Sequence, residues 1–81
     1  MEKSPSIAFV LIMCNSESMT DVVKQLNEIE IIKETVLVDG PWKIIVKFES
    51  TSLDHIRDAI RWKLRKMTGI QSTLTLVEYM N

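Results

Sequence analysis

One cysteine, one histidine, two glycines and two prolines in 81 residues leave several kinds of chemistry without material. Cys14 has no second thiol to pair with, which excludes an internal disulfide framework, and one thiolate is too few for a structural zinc site. A lone cysteine fits a reducing compartment, and with no obvious base beside it Cys14 reads as a small buried hydrophobe. His55 has no second histidine and no Asp or Glu constellation to hold a metal with, so neither a metal nor another cofactor is expected, and no catalytic residue stands out. Charge of one sign is also missing. Ten Lys plus Arg face eleven Asp plus Glu, a formal net charge of −1, so no strong global field is available for duplex DNA or an acidic membrane surface. The first apolar run, Ile7 to Cys14, is too short to span a bilayer and lacks the cleavage site of a signal peptide. No linker, repeat or low-complexity tract interrupts the chain, so residues 1–81 read as one cytoplasmic domain. A domain this small buries only about 60% of the surface its unfolded chain exposes, which favours association with further subunits.

The chain does contain two strand-like runs meeting at an Asp-Gly-Pro turn. Val36-Leu37-Val38 and Trp42-Lys43-Ile44-Ile45-Val46 flank Asp39-Gly40-Pro41 and spell a β-hairpin. A strand over Ile7–Met13 and a helix precede it. Ser18 offers that helix a cap with Asp21 three residues on, and Met19, Val22, Val23, Leu26 and Ile29 follow at helical spacing. The hairpin strands are expected over Ile32–Asp39 and Trp42–Glu49. Thr51 or Ser52 caps the second helix, whose buried stripe is Leu53, Ile56, Ala59, Ile60, Leu64 and Met67, and Gly69 is placed to end it. Ile70–Tyr79 is the last strand. The order β-α-β-β-α-β predicts an α+β, ferredoxin-like fold, with a four-stranded antiparallel sheet and two helices on one face.

The first strand is apolar at every position, so both of its faces should be buried. In the third strand Trp42, Ile44, Val46 and Phe48 form the uniformly apolar set and are expected under the helices. The second sheet face is then expected to carry Ile45, Val77, Tyr79, Thr73 and Thr75. Left wet, each large apolar group there forgoes roughly 1.5–3 kcal/mol of burial, so a dimer through this second face is expected.

With this order and these turns the chain resembles the effector-binding and oligomerisation domain, the RAM domain, of the Lrp/AsnC transcription regulators. Gly40-Pro41-Trp42 stands where that family has its Gly-x-aromatic turn, and Gly69-Ile70 followed by Thr73 and Thr75 matches its Gly-Val and Thr-x-Thr pattern. The likeness runs from Ile7 onward. Only six residues precede the first strand, so the sequence reads as a stand-alone RAM domain without a helix-turn-helix, which implies no direct DNA binding and no membrane. Lys43 occupies the position where the family frequently has Asp, replacing an acceptor with a three-donor cation.

The resemblance implies dimers that build into higher even-numbered oligomers, with effector sites between dimers near the central turn. Gly40, Pro41, Trp42, Lys43, Thr73 and Thr75 are the implied site residues. The ligand class is an amino acid or another small carboxylate, whose anionic group Lys43 would favour, and a full-length Lrp/AsnC-type regulator is an implied partner. Plainer readings stand beside these. An Asp-Gly-Pro turn needs no ligand to explain it, the threonines are good strand formers, and Trp42 suits a core or an interface. Trp62 sits among Arg61, Lys63, Arg65 and Lys66, away from the apolar stripe, and points to a subunit contact. The fold order also admits a small enzyme of acylphosphatase or dimeric monooxygenase type, an RNA-binding module, or a purely structural assembly protein. Against the first, Cys14-Asn15-Ser16-Glu17-Ser18 is no phosphate-cradling loop with its arginine. Against RNA binding, the central strands lack paired aromatics on an open face.

Overall fold

The computed structural model describes residues 5–78. Four strands, β1 (Ser6–Cys14), β2 (Ile32–Leu37), β3 (Ile44–Ser50) and β4 (Ile70–Val77), form one antiparallel sheet in the order β2-β3-β1-β4. Helix α1 (Met19–Leu26) joins β1 to β2, and α2 (Leu53–Ala59) with its continuation Ile60–Leu64 joins β3 to β4. This is the expected ferredoxin-like βαββαβ fold, and Tyr79 falls outside the described residues.

Helices this short are marginal in isolation, so packing holds them. Val22 and Leu26 of α1 and Ile56, Ala59 and Leu64 of the second helix lie buried against Ala8, Val10, Ile12 and Cys14 of β1 and Ile44, Val46 and Phe48 of β3. The opposite side of β1, Ile7, Phe9, Leu11 and Met13, is only half covered. Of the expected apolar set in the third strand, Trp42 alone is not under the helices, because β3 starts two residues later and Trp42 remains half-buried in the loop.

Three local expectations are corrected. Ser18 makes no side-chain cap. The chain enters α1 through a 3₁₀ turn, Ser16–Ser18, which leaves Ser18 already in helical geometry and denies its hydroxyl the extended backbone a cap requires. Gly69 does not end the second helix, which leaves helical hydrogen bonding by Arg65. It forms the turn immediately before β4 at φ +95°, and a Cβ there would meet the Ser18 Cβ at 2.9 Å and the Val22 Cγ2 at 3.3 Å. Ser52 does cap α2, its hydroxyl accepting from the His55 backbone N–H at 3.3 Å.

The second helix widens into a π-helical turn over Ile60–Leu64, with the Arg65 N–H donating to the Ile60 carbonyl at 3.3 Å. Ile56, Ile60 and Leu64 are spaced by four. At about 100° per residue each such step overshoots a full turn by roughly 40°, and one wider turn offsets that drift and keeps Leu64 over the sheet.

The largest correction is the side of the sheet to which β4 turns its leucines. Ala8 pairs with Val77, Val10 with Thr75 and Ile12 with Thr73, so Val77, Thr73 and Thr75 share the helix side with β1's buried residues. Leu76 pairs with Phe9 and Leu74 with Leu11, which places both leucines on the open side. Val77, Thr73 and Thr75 are nonetheless exposed, because β4 is an edge strand and every residue from Gln71 to Glu78 is exposed. Ile45, expected on the open side, is there, opposite Leu11 and Val36.

Both edge strands begin with a register shift. In β4 the pairs jump from Met13–Ser72 to Cys14–Ile70, and in β2 from Glu34–Lys47 to Ile32–Phe48. Gln71 and Lys33 are the extra residues. Each shift turns the preceding isoleucine, Ile70 or Ile32, to the helix side, where it packs on the core. Gln71 is fastened in turn, its Nε2 donating to Asn15 Oδ1 at 2.8 Å.

Candidate functional site

The hairpin loop is set by the end of the β2–β3 ladder. Val38 N–H donates to the Lys43 carbonyl at 2.9 Å, closing a loop of Asp39, Gly40, Pro41 and Trp42. Gly40 adopts φ +153°, outside the range side-chain-bearing residues prefer, and Pro41, which has no N–H to give a ladder, is exposed at the tip. Lys43 N–H donates to the Ile12 carbonyl at 2.9 Å, which ties the loop to the end of β1. Ile12 pairs on its other side with Thr73.

The loop and Thr73 therefore lie at the same end of the sheet with β1 between them, two strand spacings or roughly 10 Å apart. Thr75 sits further along β4, opposite Val10. Within one chain the six residues do not converge on a single concavity. Thr73 lines a cavity of about 180 Å³ with Ile60, Leu64, Arg65 and Ile70, and no loop residue joins it. Trp42 and Lys43 are half-buried, whereas Thr73 and Thr75 present exposed hydroxyls on the helix side. These residues supply one ammonium and two hydroxyls at separate places on the chain, and the loop also carries the exposed carboxylate of Asp39.

The second sheet face, expected from the sequence, is present, with the leucines of β4 in place of Val77, Thr73 and Thr75. The open sheet face carries Ile7, Phe9, Leu11 and Met13 down its centre, flanked by Leu74, Leu76 and Ser72 on one side and on the other by Ile45 and Val36 together with the charged Lys47, Glu49 and Glu34. Leu74 is 44% and Leu76 49% exposed. The Leu-Thr-Leu alternation marked β4 as two-faced but not which face was which. Among the described residues no group of three His, Cys, Asp or Glu is placed to hold a metal ion. No helix among them is long and apolar enough to cross a membrane. Cys14 is buried at the end of β1, and His55 is an exposed helix residue whose Nδ1 hydrogen-bonds Ser50 Oγ at 3.1 Å.

Fold and surfaces together define a ferredoxin-like α+β module whose second sheet face is uncovered, apolar along β1 and β4 and charged at Lys47, Glu49 and Glu34. The sequence model of the Lrp/AsnC ligand binding domain matches residues 7–79, and the chain belongs to that family. An uncharacterized HTH-type transcriptional regulator of Pyrococcus furiosus is 29% identical over 76 residues, covering 90% of this chain and 51% of the regulator. The chain thus spans about half the length of the curated relatives it matches. Among solved structures, FFRP-DM1 superposes with a TM-score of 0.85 at 31% identity, covering 91% of this chain and 99% of that one. A hypothetical protein of Pyrococcus horikoshii superposes at 0.84 with 30% identity, covering 94% and 92%.

Proposed function

We propose that this chain is a small-molecule effector-binding and oligomerisation module that modulates transcription regulators of the Lrp/AsnC family without contacting DNA itself. The observation that carries this reading is the open sheet face. In a member of a regulatory ligand-binding family, a central strand apolar on both sides and two leucines half-exposed on the uncovered side make a self-complementary surface for a second copy. Dimers formed through that face build into higher even-numbered assemblies, and mixed assembly with a full-length regulator transmits the effector's signal. Such work places the protein in the cytoplasm.

The effector is an amino acid or another small carboxylate, held near Gly40, Pro41, Trp42 and Lys43 with Thr73 and Thr75 supplied across a subunit boundary. Loop and threonines stand on either side of β1, roughly 10 Å apart within one chain, and share no cavity, which supports a site completed by a neighbouring subunit. The module acts by binding rather than by catalysis, in keeping with the family's role as the ligand-binding part of regulators. Its two helices are separated by a β-hairpin and its net charge is −1, neither of which suits major-groove recognition.

Native mass spectrometry across a panel of amino acids and small carboxylates tests the reading, since it reports subunit count and bound mass together. An even-numbered assembly retaining one of these ligands is expected. A folded monomer at micromolar concentration that binds none of them refutes it.

A further inference from the structure

The cavity beside Thr73, of about 180 Å³, lies where two irregularities of the backbone meet. On its helix wall the π-turn over Ile60–Leu64 ends at Arg65, whose N–H donates to the Ile60 carbonyl at 3.3 Å. On its strand wall Ile70 and Thr73 are three residues apart, a spacing that regular alternation would turn to opposite sides. The extra residue Gln71 brings both to the helix side. Leu64, 1% exposed, and Ile70, packed on the core, give the cavity an apolar floor.

Its polar groups are of one kind. Among the described residues Arg65 is the only charged one that lines the cavity, so no carboxylate offsets it. Thr73 adds a hydroxyl, and its backbone N–H is turned away from β1. Antiparallel pairs alternate between bonded and unbonded, and Glu78 N–H donates to the Ile7 carbonyl at 2.9 Å. Leu76, Leu74 and Ser72 therefore direct their N–H groups to β1, and Thr73 directs its own outward from the sheet edge. The Ile12 carbonyl agrees, since it accepts from Lys43 N–H on the β3 side and leaves the Ile12–Thr73 pair unbonded. A guanidinium fork, a hydroxyl and a free N–H are all donors, which suits a carboxylate, an acceptor only.

At roughly 30 Å³ for each water-sized group, the cavity holds about six non-hydrogen atoms. That is the size of a carboxylate with a short branched side chain. A basic side chain would find no acid here, and a second carboxylate would meet the apolar floor unpaired.

We propose that this cavity is the carboxylate-binding half of the effector site, with Arg65 and Thr73 holding the carboxylate and Leu64 and Ile70 receiving a short aliphatic side chain. The effector class narrows to small branched aliphatic acids, with or without an amino group. The inference rests on the effector reading and adds Arg65, which neither the turn nor the threonine pattern singles out.

Calorimetric titration with isovalerate and valine, each beside its amide, and with lysine and aspartate tests it. The native protein should bind isovalerate and valine at least about tenfold more tightly than their amides, lysine or aspartate, as expected for hydrogen bonds to a charged group. Arg65→Gln should weaken both acids by about tenfold or more and erase the preference for acid over amide. Arg65→Lys should keep part of that preference, and Thr73→Val should weaken binding several-fold. Ligand-free Arg65→Gln should match the native subunit count and thermal midpoint, whereas a merely structural role would move these and leave the acid-to-amide ratio unchanged. The proposal is overturned if Arg65→Gln keeps the native ratio, or if lysine or aspartate binds more tightly than the aliphatic acids; the effector reading survives either result. If the native protein binds none of these acids, both readings fall.

Discussion

Leu76→Asp is the sharpest perturbation of the assembly surface. Leu76 projects from the open side of β4 beside Phe9 and is 49% exposed in the single chain. Full burial of a leucine is worth roughly 1.5–3 kcal/mol, so covering the exposed half contributes roughly 1 kcal/mol per subunit and roughly twice that in a symmetric dimer. The aspartate forfeits this and adds an unpaired carboxylate to a surface that must dry out, at an effective cost of about several kcal/mol per ion. Together these weaken a dimer by at least about 5 kcal/mol, or roughly three to four powers of ten in dissociation constant. Gel filtration with light scattering at micromolar protein should then show monomers, and circular dichroism should show the fold intact, because the side chain lies outside the core. Val77→Asp is the control, one residue along the same strand, with the same charge, 44% exposed but on the helix side. It should leave the sheet-to-sheet dimer in place. The reasoning is refuted if Leu76→Asp keeps the native subunit count, or if both variants dissociate equally.

Gly69→Ala should destabilise the fold by about 1–3 kcal/mol, because φ +95° disfavours a side chain and the new Cβ would lie 2.9 Å from that of Ser18; urea denaturation measures it, and an unchanged midpoint contradicts it. Ser52→Ala should cost about 1 kcal/mol through loss of the α2 cap, while Ser52→Asp should retain most of the native stability. Lys43→Asp should shift any bound effector from simple carboxylates toward zwitterionic amino acids in calorimetric titration, since it replaces three donors with an acceptor for an ammonium group; identical ligand profiles for the two proteins would remove Lys43 from the site. The purified 81-residue chain should give no sequence-selective shift of duplex DNA at physiological salt, and a persistent shift would contradict a module that works through a partner.

The element order was legible because each element carried its own signal. The hairpin had its Asp-Gly-Pro, the second helix had Ser52 and a stripe at spacings of three and four, and β1 had an unbroken apolar run. What was not legible depended on pairing between distant segments. Period-two reading of β4 fails at Gln71, where the extra residue moves Ile70 to the opposite side from Ser72, Leu74 and Leu76. Nothing local announces that shift, since it arises where β4 must meet both Cys14 and the helical core. The same holds for Lys33 in β2. Ser18 misled for a related reason, as the sequence of a capping residue does not reveal that a 3₁₀ turn has already begun. The candidate ligand residues were legible only through the family's turn and Thr-x-Thr patterns, because their separation across β1 is a property of the strand order.

The placement of the leucines bears on how ligand and assembly interact. A strand whose more apolar side faces away from its own helices buries that side only on association, which adds to the stability of a fold whose own core does not use it. If the loop of one subunit and the threonines of another hold the effector between them, its binding free energy is available only in the assembled state. Linkage then requires reciprocity: the factor by which effector tightens assembly equals the factor by which assembly tightens effector. Apparent effector affinity should therefore rise with protein concentration across the assembly transition. Leu76→Asp should abolish effector binding although it leaves every loop and threonine side chain in place, whereas Lys43→Asp should change ligand preference without changing the subunit count of the ligand-free protein. The two variants thus separate a defect in assembly from a defect in recognition.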